Sequence, residues 1–240
     1  MSKAAYKIEV YKSDCRIERP YQFEPNGDHP PQRGEVTEFT YKSRRRLAFV
    51  ASNTDVRFET MITLTYPREF TTDGAKVKRD LQAMIRWCRH RDELCQYLWF
   101  LEFQKRGAPH IHLLLDSAVS VFTPKKDVSG AWYRIVESGD KKHLVAGTRT
   151  EKLRSTDGGT KYAVKYAMKM YQKEVPTEYQ NVGRFWGHSL GVKPKVKATR
   201  YYLSFDRLER DFERWAYNHH LRNFKVSTLY NAAKDLNHER

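Results

Sequence analysis

Two histidines one residue apart, in His110-Ile111-His112, are the first residues in the chain whose spacing suggests chemistry. On an extended strand alternate side chains share a face, so both imidazoles point one way while Ile111, Leu113 and Leu115 point the other, toward a core. Two nitrogens so placed can grip one divalent ion. Glu102, in the preceding apolar run, adds a hard oxygen ligand if strand register sets it opposite His110 or His112; a slip of one residue turns it away. Gln104 has the same parity and is a reserve candidate. Two nitrogens and a carboxylate with open positions suit Mn²⁺ or Mg²⁺. A pair of exposed strand histidines holding no ion is the plain alternative for so short a pattern.

The second group is Lys161-Tyr162-Ala163-Val164-Lys165-Tyr166-Ala167-Met168-Lys169. On a helix, with Tyr162 at zero, Tyr166 falls at about +40°, Lys169 at about −20° and Lys165 at about −60°. One face then presents two phenols and two ammoniums. A phenol is a weak nucleophile at its ordinary pKa of about 10, and cations one turn away lower the cost of a phenolate and can hold a phosphate. An amphipathic helix with tyrosines at the core boundary and lysines in water would carry the same residues, although the doubled Tyr-x-x-Lys fits that reading less well.

The hydropathy pattern supplies elements to position these groups. Thr40 to Asn53 reads as a basic helix. Val56 to Tyr66 reads as a strand ended by Pro67, with Ile62, Leu64 and Tyr66 on one face and Thr63 and Thr65 on the other. Ala75 to Arg91 is an amphipathic helix, with Val77, Leu81, Met84, Ile85 and Cys88 at helical spacing. Gln96 to Phe103 and His110 to Asp116 form a hairpin across Gln104–Pro109. The pattern then predicts a helix over Val128–Glu137, a strand over Leu144–Leu153, a helix over Thr160–Tyr171, an irregular stretch from Gly183, a strand over Lys197–Phe205 and a charged helix over Asp206–Leu221. Pro20 to Gly34 is a loop by its proline and glycine content. The class is α+β, a sheet covered by helices.

The 240 residues carry 44 Lys and Arg against 29 Asp and Glu, a net charge of +15, and 13% are aromatic. Such a surplus points to a polyanionic partner, and basic charge among aromatics suits single-stranded nucleic acid. The candidate phosphate contacts are Arg44, Arg45, Arg46, Lys161, Arg184, Lys195, Lys197 and Arg200. No P-loop, calcium loop or nucleophile elbow occurs. Cys15, Cys88 and Cys95 are too few and too scattered for a disulfide framework or a cysteine-rich zinc module. No stretch nears the roughly 20 apolar residues of a membrane span. The first residues lack an apolar signal core, so the expected location is the cytoplasm, in a bacterial host cell.

In order and spacing, Met61–Pro67, His110-Ile111-His112 and Tyr162-Ala163-Val164-Lys165-Tyr166 resemble the three motifs of HUH endonucleases, and more closely those of rolling-circle replication initiators of small phages and plasmids, in their two-tyrosine branch. Gly183-Arg184-Phe185-Trp186-Gly187 is similar to a segment recurring in bacterial and phage members. The resemblance spans roughly Phe39 to Phe205. It implies a central five-stranded antiparallel sheet flanked by helices, related to the RRM-like fold. By it, 1–38 is a partly irregular lead-in, 39–222 the endonuclease domain and 223–240 a tail. It implies an ion on His110, His112 and an acidic third ligand, for which Glu102 is the candidate. It implies a nucleophile at Tyr162 or Tyr166, with Lys165 and Lys169 beside them. The implied activity is nicking and rejoining of single-stranded or hairpin origin DNA through a 5′-phosphotyrosine. The partners expected with it are a host helicase and polymerase, and the chain is expected to be a monomer or weak oligomer. The alternatives are a relaxase or transposase of the same superfamily, and a non-catalytic single-strand-binding module on an RRM-like sheet.

Overall fold

A computed structural model gives the structure of the chain. It describes residues 6–18, 36, 38–93, 95–116, 125–153, 160, 162–163, 165, 174–179, 181–202, 204, 206–208, 210–211 and 214. The Pro20–Gly34 loop, the tail after 214, and the candidates Lys161, Tyr166 and Lys169 lie outside the described residues.

Strand β3 (Thr60–Thr65) and strand β5 (Pro109–Leu115) pair antiparallel at the centre of a five-stranded sheet. Strand β4 (Tyr97–Phe103) pairs with β5, strand β6 (Thr148–Lys152) with β3, and strand β7 (Trp186–His188) with β4. The order across the sheet is β6-β3-β5-β4-β7, every pairing antiparallel. Helices flank this sheet, as expected. Their sequence runs explain the arrangement: β4 and β5 are apolar at nearly every position because both faces are covered, and Leu98, Phe100, Leu101, Ile111, Leu113 and Leu114 are all buried.

Three helices flank the middle of the chain. Helix α1 (Tyr41–Asn53) starts at Thr40, whose hydroxyl accepts from Ser43 N. Helix α2 (Gly74–Arg89) is capped by Asp73 and buries the expected stripe of Val77, Leu81, Met84, Ile85 and Cys88. Gly74 is required there, since a Cβ would sit 2.5 Å from the Val182 backbone. Helix α3 (Lys125–Ile135) buries Trp132, whose indole donates to Thr65 O at 2.8 Å.

Two readings change. The strand expected over Leu144–Leu153 begins only at Thr148. Residues Lys141–Ala146 form a short helix, α4, capped by Asp140, whose carboxylate accepts from Lys142 N. Leu144 and Val145, whose apolar character suggested a strand, face outward and are exposed. The stretch from Gly183 is also less irregular than expected: Trp186–His188 adds an edge strand, and Leu190–Val192 makes one 3₁₀ turn.

The chain divides into two units. The second, separate from the five-stranded sheet, has a three-stranded antiparallel sheet in the order β2-β1-β8, built from β1 (Tyr6–Val10), β2 (Cys15–Glu18) and β8 (Ala198–Tyr202). Ile8 and Leu208 are its buried centre.

Candidate active site

The register of the central sheet decides which side chains can act together. Glu102 lies directly across from His110, and Phe100 from His112. On the other side of β5, Thr65 lies across from His110 and Thr63 from His112. Three neighbouring strands therefore place Glu102, His110, His112, Thr63 and Thr65 on one face. The one-residue slip that would have turned Glu102 away does not occur. Ile62, Leu64, Ile111 and Leu113 fill the opposite face and are fully buried.

This pocket of polar groups is deep. Glu102 is 1% exposed and His112 3%, so the exposed-histidine alternative does not describe His112. Glu102 Oε2 stands 3.7 Å from His112 Nε2, too far for a direct hydrogen bond. The imidazoles of His110 and His112 meet edge to face at 4.7 Å between centroids, and Phe100 stacks on His112 at 4.8 Å. Each imidazole also has a threonine at its Nδ1: Thr63 Oγ1 at 3.3 Å from His112, and Thr65 Oγ1 at 3.1 Å from His110. Gln104 Nε2 reaches His110 Nδ1 at 3.4 Å. When the ring Nδ1–H donates to the threonine oxygen, Nε2 keeps its lone pair, which is the tautomer a metal ligand needs.

Backbone anchors hold the end of β3 in place. Thr65 O accepts from Trp132 Nε1 at 2.8 Å and lies 2.7 Å from His143 Nε2. Arg106, in the β4–β5 turn, donates to the carbonyls of Tyr66 at 2.6 Å and Pro67 at 2.8 Å, and from its Nε to Gln104 Oε1 at 3.0 Å. None of Thr63, Thr65, Trp132, His143 or Arg106 was singled out as a site residue from the sequence. The alternation of Thr63 and Thr65 on β3 was the available signal, but it pointed at the histidines only once β3 was known to neighbour β5.

Tyr162 approaches this face. Thr160, Tyr162, Ala163 and Lys165 are helical, and Thr160 Oγ1 donates to Ala51 O of α1 at 2.9 Å. The Tyr162 ring centroid lies 6.5 Å from that of His112. Lys165 is exposed. Two other tyrosines nearby are poorly suited to ionise. Burial, and then the Asp80 carboxylate 2.8 Å away, push the Tyr66 phenol well above its usual range. Burial does the same to Tyr179.

The remaining candidates are dispersed. Arg44, Arg45 and Arg46 sit on α1, the guanidiniums of the first two over the Tyr41 ring. Arg184 and Lys195 are exposed in the unit of the five-stranded sheet, and Lys197 and Arg200 are exposed in the other unit. Phe185, a candidate for stacking bases, is buried against Phe39 at 5.1 Å, while Trp186 donates to Ser43 Oγ.

Residues 59–171 match the family model of the replication-associated protein of ORF2 type. The match spans just under half of the chain, from the edge of β3 through both candidate tyrosines. It supports a role in DNA replication, of the initiator type. Searches of curated proteins and of solved structures gave no match. Among the described residues, no helix is long and apolar enough to cross a membrane.

The donor set was tested against a divalent ion. Among the described residues no three His, Cys, Asp or Glu side chains form a closed ion cage. The residues fit an open site instead. With bonds of about 2.1 Å, two donors to one small ion lie at most about 4.2 Å apart, and His112 and Glu102 at 3.7 Å meet that limit. Two imidazoles oriented by hydroxyls, with one carboxylate, are suitable chemistry for Mn²⁺ or Mg²⁺.

Proposed function

We propose that the protein is a replication initiator that nicks and rejoins single-stranded origin DNA through a covalent tyrosine–phosphate link. The observation that carries this is the 6.5 Å separation between the Tyr162 and His112 rings, on the face where β4 also places Glu102. A phenol and a cluster of ion ligands that close can serve the same phosphodiester.

His110, His112 and Glu102 would hold the divalent ion, and the ion supplies charge stabilisation to a non-bridging phosphate oxygen. Thr63 and Thr65 orient the two imidazoles. Tyr162 Oη attacks phosphorus in line; the bond from phosphorus to O3′ breaks as the bond to Oη forms. The phenol proton passes to solvent, and the departing 3′ oxygen takes one up. One phosphodiester replaces another, so no nucleotide triphosphate is consumed, in keeping with the missing P-loop. The free 3′ hydroxyl can prime synthesis, and reversal of the step rejoins a strand. Tyr166, one turn further along the sequence, is the second candidate and would allow a second cleavage while the first end stays attached. The surplus of basic residues would bind phosphates without reading sequence.

The test is incubation with single-stranded origin oligonucleotides and Mn²⁺, followed by a denaturing gel. A protein–DNA adduct that persists in one single variant and vanishes in the Tyr162→Phe plus Tyr166→Phe double variant supports the proposal and identifies the initiating residue. No adduct with any origin strand under any divalent ion, or an adduct that survives the double change, overturns it.

A further inference from the structure

Beside the candidate active site lies a cavity of about 580 Å³, bounded by the β4–β5 turn and residues 174–178. It opens next to Gln104, whose side chain lines it and also reaches His110 at 3.4 Å. A strand with one phosphate at His110 therefore has its neighbouring base at the mouth of this cavity.

The cavity walls are fixed. Tyr179 packs on Phe103 at 4.8 Å between centroids, and its amide donates to Pro176 O at 3.0 Å, closing the turn that carries Glu178. Gly107 has φ +81°, and a Cβ on it would stand 2.9 Å from Glu178 Oε1. The bare glycine thus lets the Glu178 carboxylate lie against the opposite wall. Val175 and Pro176 give an apolar surface, Lys105 a cation, and Glu174 and Glu178 two carboxylates.

Carboxylates on a path for DNA are out of place as phosphate contacts, because they repel the backbone. They suit a base edge that donates hydrogens. Guanine alone presents two adjacent donors, N1–H and the N2 amine, on its Watson–Crick edge, matching both oxygens of one carboxylate. Adenine and cytosine pair one amine with an acceptor, and thymine sets one N–H between two acceptors. We propose that this cavity takes an unpaired guanine adjoining the scissile phosphate, with Glu178 reading its donor edge and Lys105 holding a flanking phosphate. The proposal rests on single-stranded DNA being the substrate, but not on cleavage.

The experiment is therefore binding without any divalent ion. Fluorescence anisotropy in EDTA compares a thymidine tract carrying one central guanine with the same tract carrying inosine, which lacks the N2 amine. The wild-type chain is expected to prefer guanine roughly tenfold, a factor in keeping with one bidentate base contact. In Glu178→Gln and in Glu174→Gln plus Glu178→Gln the preference should fall to within about twofold, while binding of the all-thymidine tract is unchanged. Glu178 is exposed, so the exchange leaves the core intact. Equal binding of guanine and inosine by the wild type, or a preference that survives the double variant, overturns the proposal with the nicking function untouched. Failure to bind any strand overturns both readings. A guanine preference without any adduct supports the cavity and counts against cleavage alone.

Discussion

Replacing Thr63 by valine removes one hydroxyl from the sheet and keeps the branched shape that strand packing requires. The hydroxyl sits 3.3 Å from Nδ1 of His112, a residue 3% exposed. Water cannot readily take its place. Leaving a buried polar group without its partner costs about 1–3 kcal/mol, and each 1.4 kcal/mol is about a factor of ten in an equilibrium constant. Part of that cost falls on the metal-free protein as well, so the expected weakening of Mn²⁺ binding is roughly tenfold, inside the 10–100-fold range of lost outer-shell partners. Thr65→Val should do less, about threefold, because His110 is only half-buried and Gln104 stands at 3.4 Å from the same nitrogen. The assay is a thermal-shift titration with Mn²⁺, read as apparent affinity, with the metal-free melting temperature as the control for fold. The reasoning fails if Thr63→Val binds Mn²⁺ within twofold of wild type. It also fails if Thr65→Val is the more damaging change.

Two further predictions rest on single side chains. Arg106→Lys keeps the charge but loses the fork that ties the Tyr66 and Pro67 carbonyls to Gln104; it should lower stability by about 2 kcal/mol, seen as an earlier urea midpoint, and an unchanged midpoint refutes that role. Lys78 is held down to about 7 by burial, with its ammonium 4.9 Å from the Trp99 ring centroid. The folded chain therefore binds fewer protons than the unfolded one between pH 7 and the ordinary lysine value of 10.5, so stability should rise with pH across that window. Lys78→Met should abolish that part of the rise in denaturation midpoints; a wild-type and variant difference that stays constant from pH 7 to 10 refutes it.

Much of the site was legible because β-structure has a period of two. Alternation alone put His110 with His112 and Thr63 with Thr65, and the hairpin signal brought Glu102 close in sequence to its partner strand. Alternation does not say which strands are neighbours, so the threonine at each imidazole appeared only when β3 was seen beside β5. The α4 region misled for a related reason. Leu144 and Val145 look like core, but Asp140 caps a helix that turns them outward. Edge strand β7 was too short, at three residues, to produce a pattern. Arg106 was hidden because its partners are backbone carbonyls, which have no side-chain signature. Its neighbour Gly107 reads in the sequence as a turn residue; its second duty, making room for Glu178, depends on a segment some 70 residues away.

The catalytic candidates of the sheet are all fixed by one ladder of backbone hydrogen bonds, and that has an evolutionary corollary. Inserting or deleting a single residue within β5 would rotate both imidazoles into the aliphatic layer and bring Ile111 and Leu113 to the polar side. No partial version of the site lies between those outcomes. The tip of the β4–β5 hairpin, by contrast, can lengthen or change composition while every ladder partner stays in step. Descendants of such a chain are thus free to explore new loop sequences beside an unchanging polar centre, and variation in what the molecule recognises is decoupled from variation in what it does.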